Sequence, residues 1–307
     1  MKINIIMYHY VRDMGLKENK GYKGLHINKF IKQLDYLKKN FEIIDIQNLF
    51  DLNFLKKKTN KTFCLLTFDD GYSDHYNNVL PVLLSKKISG SFYVSAKTIM
   101  DGKALSANKL HYILSKIKTD EIIKIIKKFL IEIKFKTNYE NIYKIIKNKS
   151  RFDDDNVNFI KTIFKNFLNS NLQNKLHKII FQNILKENEK EIFKNFYLNK
   201  EKIYEMQKYG MYFGGHGYDH QRLDLIGERE QLIEIDKTIK FLRIINTDTK
   251  KWVMCYPYGG YNKLLIEKLK SRNCFIGLTT KPEIANIKKN NLLTLPRFDA
   301  NDFANFS

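Results

Sequence analysis

The chain has 307 residues, of which 43% are hydrophobic and 13% aromatic. That is enough apolar material to bury a core, and it excludes an intrinsically disordered chain. The formal net charge of +21 would suit an anionic partner. Lysine is nevertheless spread through the whole chain, with neither an Arg-rich groove motif nor a nucleic-acid fold signature, so we expect no nucleic-acid partner.

Cysteine usage and the N-terminal segment suggest a compartment. Cys64, Cys255 and Cys274 lack CxxC spacing, which favours buried thiols in a reducing environment. The apolar run Ile3–Met7 is too short for the core of a signal peptide, and no apolar stretch reaches membrane-spanning length. We therefore expect a cytoplasmic protein, with peripheral contact to an anionic membrane surface as an option. The sequence indicates no oligomeric state.

Strand and helix patterns alternate over the first hundred residues. The predicted strands are Lys2–Tyr8, Phe41–Ile46, Thr62–Phe68 and Gly90–Val94, and the predicted helices are Asn28–Asn40, with Asn28 as candidate cap, and Asn78–Lys87. Such alternation is typical of an α/β sheet or barrel.

The pattern changes near residue 103. Lys-rich segments with helical spacing run from Lys103 to Met206, which predicts a helical insertion. Strand-like runs then return at Met211–Phe213, Trp252–Tyr256, Phe275–Leu278 and Leu292–Leu295. We expect a barrel in two parts, residues 1–102 and 207–307, interrupted by residues 103–206. The insertion contains none of the candidate catalytic or metal-binding residues described below, so we expect it to govern substrate or membrane contact.

The first chemical motif is Thr67-Phe68-Asp69-Asp70-Gly71, at the end of a predicted buried strand. Catalytic groups in parallel α/β folds come from the carboxyl ends of strands. Two neighbouring carboxylates repel unless a cation separates their roles, so one would bind a metal and the other act as a base. The alternative interpretation is structural: the same residues would form an Asp-Gly turn with an Asx cap.

The second motif favours the metal. His216 and His220 are four residues apart, a spacing at which two imidazoles reach one divalent ion. Gly214 and Gly215 allow close backbone approach before them. With Asp70, the two histidines form a two-His, one-carboxylate set.

TFDDG, then HxxxH, then Tyr256-Pro257-Tyr258-Gly259 resembles the polysaccharide deacetylases of the NodB-homology, carbohydrate esterase type. The resemblance covers about residues 1–100 and 209–298. It implies an α/β fold, a distorted (β/α) barrel with the site at the carboxyl ends of its strands, here with a helical insertion.

The resemblance also implies roles. Asp69 matches the general base, and Asp70, His216 and His220 match the metal ligands. Tyr258 matches the segment that walls the pocket, where its backbone N–H would point at the developing oxyanion.

Two departures from the family pattern concern an arginine and a histidine. Many members have Arg where this chain has Cys255, so the basic residue near Asp69 either comes from elsewhere or is missing. Arg297 is the candidate, and a surface arginine at a strand end is the alternative. The final strand also lacks the family's histidine acid. His9 resembles the YH segment of members with an N-terminal acid, and a packed strand-end histidine is the alternative. We interpret His75 as structural.

The sequence thus predicts a metal-dependent hydrolase that removes the N-acetyl group from an acetylated amino sugar in a glycan or glycan precursor. Zinc is the first expectation for the ion, with cobalt and nickel as alternatives. An O-acetyl esterase and a catalytically weak glycan- or membrane-binding module remain as other interpretations.

Overall fold

The computed structural model describes residues 1–16, 19, 22–56, 59–135, 139–147, 150 and 153–303. Its strands are β1 (Lys2–Tyr8), β2 (Val11–Arg12), β3 (Leu25–His26), β4 (Glu42–Ile43), β5 (Thr62–Asp69), β6 (Ser91–Val94), β7 (Tyr212–Gly215), β8 (Trp252–Cys255), β9 (Cys274–Leu278), β10 (Ala285–Asn286) and β11 (Phe298–Asp299).

Helices follow most of the longer strands. They are α1 (Ile27–Asn40), α2 (Leu52–Lys56), α3 (Leu80–Lys86), α4 (Ala96–Met100), α5 (Ser106–Lys116), α6 (Thr119–Glu132), α7 (Tyr139–Ile146), α8 (Asp155–Thr162), α9 (Ser170–Ile179), α10 (Glu189–Ile192), α11 (Lys200–Lys208), α12 (Glu228–Ile244) and α13 (Lys263–Lys270). Among the described residues, no helix is both long enough and apolar enough to cross a membrane.

One curled sheet organises the strands, in the order β10-β1-β5-β6-β7-β8-β9. The pairings from β1 to β9 are parallel, so the carboxyl ends of these strands share one edge. Leu278 of β9 bridges Leu295, and β11 then pairs with β1 in parallel, which brings the end of the chain back to the first strand. The fold is therefore α/β, a distorted (β/α) barrel.

The two faces of the sheet bury different residues because strand side chains alternate. On β5, Cys64, Leu66 and Phe68 belong to the cluster that includes α1, while Phe63 and Leu65 belong to a second cluster with strand residues such as Val253. Such near-continuous apolar strands are typical of parallel sheets covered on both faces.

The chain divides into two compact units. The barrel unit comprises residues 1–16, 23–103 and 193–307, and the helical unit comprises residues 17–22 and 104–192. Within the helical unit, α6 packs on α8 and α5 on α9. Ile122, Ile126, Phe159 and Ile160 are among its fully or almost fully buried side chains.

Several element boundaries differ from the sequence prediction. Leu292–Leu295 is not a strand, because Leu292–Thr294 forms a 3₁₀ turn with Asn291 as its cap. The predicted strand Phe41–Ile46 shortens to β4 and enters another 3₁₀ turn at Ile46. The predicted cap Asn28 lies inside α1, whose N-cap is His26, and the helix predicted over 78–87 begins earlier as a π-helical turn at His75.

Candidate active site and metal centre

Asp69 and Asp70 lie side by side where β5 ends. Asp69 is its last residue, and Asp70 turns the chain with a φ of 72°. Asp70 and Gly71 are consecutive left-handed residues; because few non-glycine residues adopt this conformation, Asp70 is held there by its surroundings. Both carboxylates are almost fully buried, with exposures of 1% and 4%.

His216 and His220 flank the loop that follows β7. The glycines before them meet close neighbours: a Cβ on Gly215 would lie 2.3 Å from the Thr238 methyl, and one on Gly214 would lie 2.7 Å from the Tyr93 ring. The chain can therefore reach the sheet edge here only with glycine. His220 has a φ of 52°, and its ring centroid lies 4.8 Å from that of His216.

The two imidazoles meet one carboxylate oxygen. Asp70 Oδ1 lies 3.3 Å from His216 Nε2 and 3.2 Å from His220 Nε2. His216 Nδ1 lies 2.8 Å from the carbonyl oxygen of Cys255, which can only accept, so Nδ1 carries the proton. In a neutral imidazole, Nε2 is then a lone pair facing a carboxylate oxygen.

Two acceptors that face each other are stabilised by a cation between them, which is a proton or a metal ion. Among the described residues, neither Asp70 Oδ1 nor His216 Nε2 has a hydrogen-bond partner, although both are buried. Ligand atoms about 2.0–2.1 Å from a tetrahedral zinc ion lie about 3.3 Å from one another, which matches the distances from Asp70 Oδ1 to the two Nε2 atoms. The residues present therefore fit a small divalent ion held by Asp70, His216 and His220.

Tyr72 fixes the other oxygen of Asp70. Its hydroxyl donates a hydrogen bond to Asp70 Oδ2, which leaves Oδ1 toward the histidines. Tyr72 is fully buried and stacks on Tyr10 with ring centroids 4.1 Å apart. Burial first, and then the charge of Asp70, raises the pKa of Tyr72 well above its ordinary value, so the hydroxyl stays a donor. Sequence patterns did not single out this tyrosine, although it directly follows the TFDDG motif.

Arg297 is the basic partner of Asp69. Its Nη1 and Nη2 donate to Asp69 Oδ1 and Oδ2 at 2.9 and 2.8 Å, and its Nε donates to the Thr279 carbonyl at 2.8 Å. Arg297 is fully buried, so the alternative of a surface arginine is wrong. Burial alone would raise the pKa of Asp69, but the adjacent guanidinium lowers it to about 2. Asp69 is therefore an ionised carboxylate at neutral pH.

Cys255 belongs to the same network. Its thiol lies 3.3 Å from Asp69 Oδ2, and Arg297 Nη2 lies 3.0 Å from its sulfur. Burial raises the pKa of this thiol, so it remains protonated and donates to the carboxylate. It thus occupies, in sequence, the place of the family's arginine, while Arg297 reaches the same carboxylate from the other end of the chain.

His9 follows β1 at the same sheet edge. It is half-buried and close enough to Asp69 and His220 to influence the pKa of both. Beneath it, His75 is fully buried, and its Nε2 lies 3.0 Å from the His9 carbonyl oxygen. Because that carbonyl only accepts, His75 donates to it. The structure thus places His75 in support of the His9 backbone.

Tyr258 packs against His220. Their rings meet edge to face with centroids 4.6 Å apart. Tyr258 has a φ of 57° inside the short 3₁₀ turn Pro257–Gly259. This left-handed residue turns the backbone sharply beside His220.

Comparison with known proteins supplies the family. A family model described as polysaccharide deacetylase matches residues 56–274. The chain belongs to the polysaccharide deacetylase family. Its activity is accordingly that of a carbohydrate deacetylase, a hydrolase, and the family is generally dependent on a divalent metal. His9 and Arg297 lie outside the matched range.

Solved structures show the same fold. The Streptococcus pyogenes deacetylase PplD in complex with acetate is 18% identical with a TM-score of 0.61, covering 97% of this chain and 92% of its own. A de-N-acetylase from Aggregatibacter actinomycetemcomitans is 13% identical with a TM-score of 0.60, covering all of both chains. IcaB from Ammonifex degensii is 17% identical with a TM-score of 0.56, covering 97% and 91%. A comparison with curated protein sequences finds no match.

Proposed function

We propose that this deacetylase is metal-dependent and removes the N-acetyl group of an amino sugar in a glycan or glycan precursor. The observation that carries the proposal is the convergence of two imidazole nitrogens on Asp70 Oδ1, beside a second carboxylate, Asp69, that Arg297 keeps ionised. Zinc fits the two-His, one-carboxylate set best, with cobalt and nickel as alternatives.

The residues divide the reaction among themselves. The chemistry that a divalent ion supplies at such a site is polarisation of the acyl carbonyl and a lowered pKa for the attacking water. Asp69 takes the proton of that water, and Arg297 holds both of its oxygens in a fixed orientation. The backbone N–H of Tyr258 stabilises the negative charge that develops on the acyl oxygen.

His9 gives a proton to the leaving nitrogen. An amine leaves a tetrahedral centre poorly unless it is protonated, so an amide substrate needs this acid more than an ester does. His9 lies at the same sheet edge as Asp69, supported from below by His75. One of the structural neighbours is a de-N-acetylase, which agrees with an amide substrate for this chain.

A metal titration combined with an acetate-release assay tests the proposal. We expect one divalent ion per chain, and acetate release from N-acetylated oligosaccharides or lipid-linked precursors that stops on chelation and returns with zinc or cobalt. Replacing His216 and His220 together by alanine should abolish both stoichiometric metal and activity. A double variant that kept its metal would show that the ion binds elsewhere.

The His9→Ala variant separates the amide from the ester. On an N-acetyl substrate, we expect turnover to fall by about 10²–10⁴, the usual contribution of a general acid, and by much less on an O-acetyl substrate of the same sugar. His26→Ala is the matched control, since this histidine caps α1 at residue 26 and has no role in the proposed chemistry. Equal losses on both substrates would contradict proton donation to nitrogen by His9.

A further inference from the structure

The loop that joins the two histidine ligands is fixed from one side by α4 and its cap. The backbone N–H groups of Ala96 and Lys97 donate to the carbonyls of Gly217 and Tyr218 at 3.1 and 3.0 Å. The hydroxyl of Ser95 donates to the carbonyl of His216 at 3.0 Å. These bonds use the loop carbonyls and leave its N–H groups to other partners.

Glu234 accepts those N–H groups. It lies in the middle of α12, and its Oε2 accepts from Tyr218 N at 2.7 Å and from Asp219 N at 3.1 Å. Its Oε1 lies a further 3.3 Å from Asp219 N. The carboxylate is only 4% exposed, so one buried acidic side chain spans two successive amides between His216 and His220.

Burying a carboxylate costs desolvation free energy, which hydrogen bonds to the carboxylate can offset. Burial raises the pKa of Glu234 to about 7, against the two backbone hydrogen bonds, which lower it. The charged groups that face it are Asp219, which raises its pKa further, and Lys97, which lowers it and forms an ion pair with Asp219. An apolar residue here would cost less desolvation but would leave two amides without acceptors.

The loop cannot replace this support by itself. Gly217 has a φ of 69°, and a Cβ there would lie 3.2 Å from Glu234 Oε2, so the backbone turns tightly around the carboxylate. His220 also has a positive φ. Two left-handed residues within five positions give a loop with little intrinsic preference for the observed geometry.

From these contacts we infer that the carboxylate of Glu234 is a positioning residue that sets the spacing of His216 and His220 for the metal. It acts through the loop backbone, since its hydrogen bonds go to the amides of Tyr218 and Asp219 and to neither ligand side chain. The inference rests on the proposed metal site. Residues that orient ligands in this way commonly change metal affinity by 10–100-fold when they are replaced.

The test is the dissociation constant of Co²⁺ for metal-free protein, measured by titration, together with the visible absorption of the bound cobalt. Glu234→Ala should weaken Co²⁺ binding by about 10–100-fold and change the band intensities, since these report ligand geometry. Glu234→Gln keeps a neutral acceptor and should fall between wild type and Glu234→Ala. If Glu234→Ala does not fold, Glu234→Gln decides alone.

Two controls separate positioning from stability. Glu230→Ala removes an exposed carboxylate from the same helix and should leave the dissociation constant unchanged. Ile239→Ala removes a buried apolar side chain and should lower the melting temperature without changing metal affinity. A folded Glu234→Gln protein with the wild-type dissociation constant and cobalt spectrum would overturn the inference. A wild-type protein that bound no Co²⁺ would instead overturn the proposed function.

Discussion

A buried histidine of the helical unit differs in its surroundings from two buried histidines of the barrel unit. His177 in the helical unit is fully buried beside Ser106, whose hydroxyl lies 2.9 Å from its Nε2, and beside the ring of Phe164. Burial first, and then the charge of Lys109, lowers its pKa to about 3. In the barrel unit, His216 and His220 are 2% and 8% exposed, and both face the Asp70 carboxylate.

The difference lies in what surrounds each imidazole. Apolar and cationic neighbours keep His177 neutral, so it packs as a core side chain. The barrel pair instead faces the Asp70 carboxylate at the carboxyl ends of neighbouring strands. That anion favours a cation between the three side chains, although burial lowers the pKa of His220. A buried histidine therefore indicates a functional site only when it faces an anionic group together with another potential ligand.

The largest effect is expected at Asp69. Replacing it by asparagine removes the proposed base but keeps the shape of the side chain, so turnover should fall by about two to four orders of magnitude. Metal should stay bound, because Asp70 and the histidines are unchanged. Turnover on a chromogenic acetate or acetylated sugar, with metal content by elemental analysis, checks both statements.

Asp74→Asn is the matched control for that variant. Arg12 donates to both oxygens of Asp74 at 2.7 and 2.9 Å, so the barrel unit holds a second buried arginine–carboxylate pair. Its loss should cost stability in the same way while leaving turnover within about tenfold of wild type. Equal losses of turnover in the two variants would mean that Asp69 acts only through the fold.

A smaller effect is expected from Tyr72→Phe. Without the hydroxyl, Asp70 Oδ2 loses its buried donor and the carboxylate can rotate, so metal should bind about 10–100-fold more weakly. Tyr112→Phe is the counterpart in the helical unit, since its hydroxyl donates to Glu187 at 2.6 Å. That variant should change metal affinity by less than about twofold. Unchanged affinity in Tyr72→Phe would show that Asp70 is held by its backbone alone.

The fold can be predicted from the sequence because the strands are apolar runs with clearly marked ends. Thr62–Phe68 and Trp252–Tyr256 were predicted within one residue of the observed strands, and the barrel and its family are confirmed. The strand predicted at Leu292–Leu295 is wrong, because a short apolar run does not distinguish a strand from a 3₁₀ turn. The side chain of Asn291 caps this turn, and a cap residue of this kind favours a helical turn over a strand.

Within the site, motifs in the sequence identify candidate residues but do not reveal contact partners that are distant in sequence. Arg297 was a candidate because the usual arginine was missing, and only the structure shows that it contacts Asp69 from 228 positions away. Tyr72 and Glu234 carry no motif of their own. Their contacts depend on a left-handed turn and on the packing of α12, which no local pattern specifies.

The smallest effect on activity is expected at His177, where the change is in stability. In the unfolded chain its pKa is near 6.5, whereas in the folded chain it is lowered to about 3. The unfolded state therefore binds more protons between these values, so the stability that His177 contributes is complete above pH about 6.5 and is lost as the pH falls toward 3. The slope can reach about 1.4 kcal/mol per pH unit for this one group.

Urea unfolding of the wild type and of His177→Gln between pH 7.5 and 4.5 measures this slope, with hydrogen exchange of the amides in residues 104–192 to assign it to the helical unit. The wild type and the variant have the same carboxylates titrating in this range. The difference between the slopes of the two proteins therefore isolates the contribution of His177. We expect wild type to lose stability faster on acidification, although His177→Gln is less stable at neutral pH because glutamine fits the buried site poorly. Parallel slopes would mean that His177 takes up a proton while folded, and the contrast between the two kinds of buried histidine would then fail.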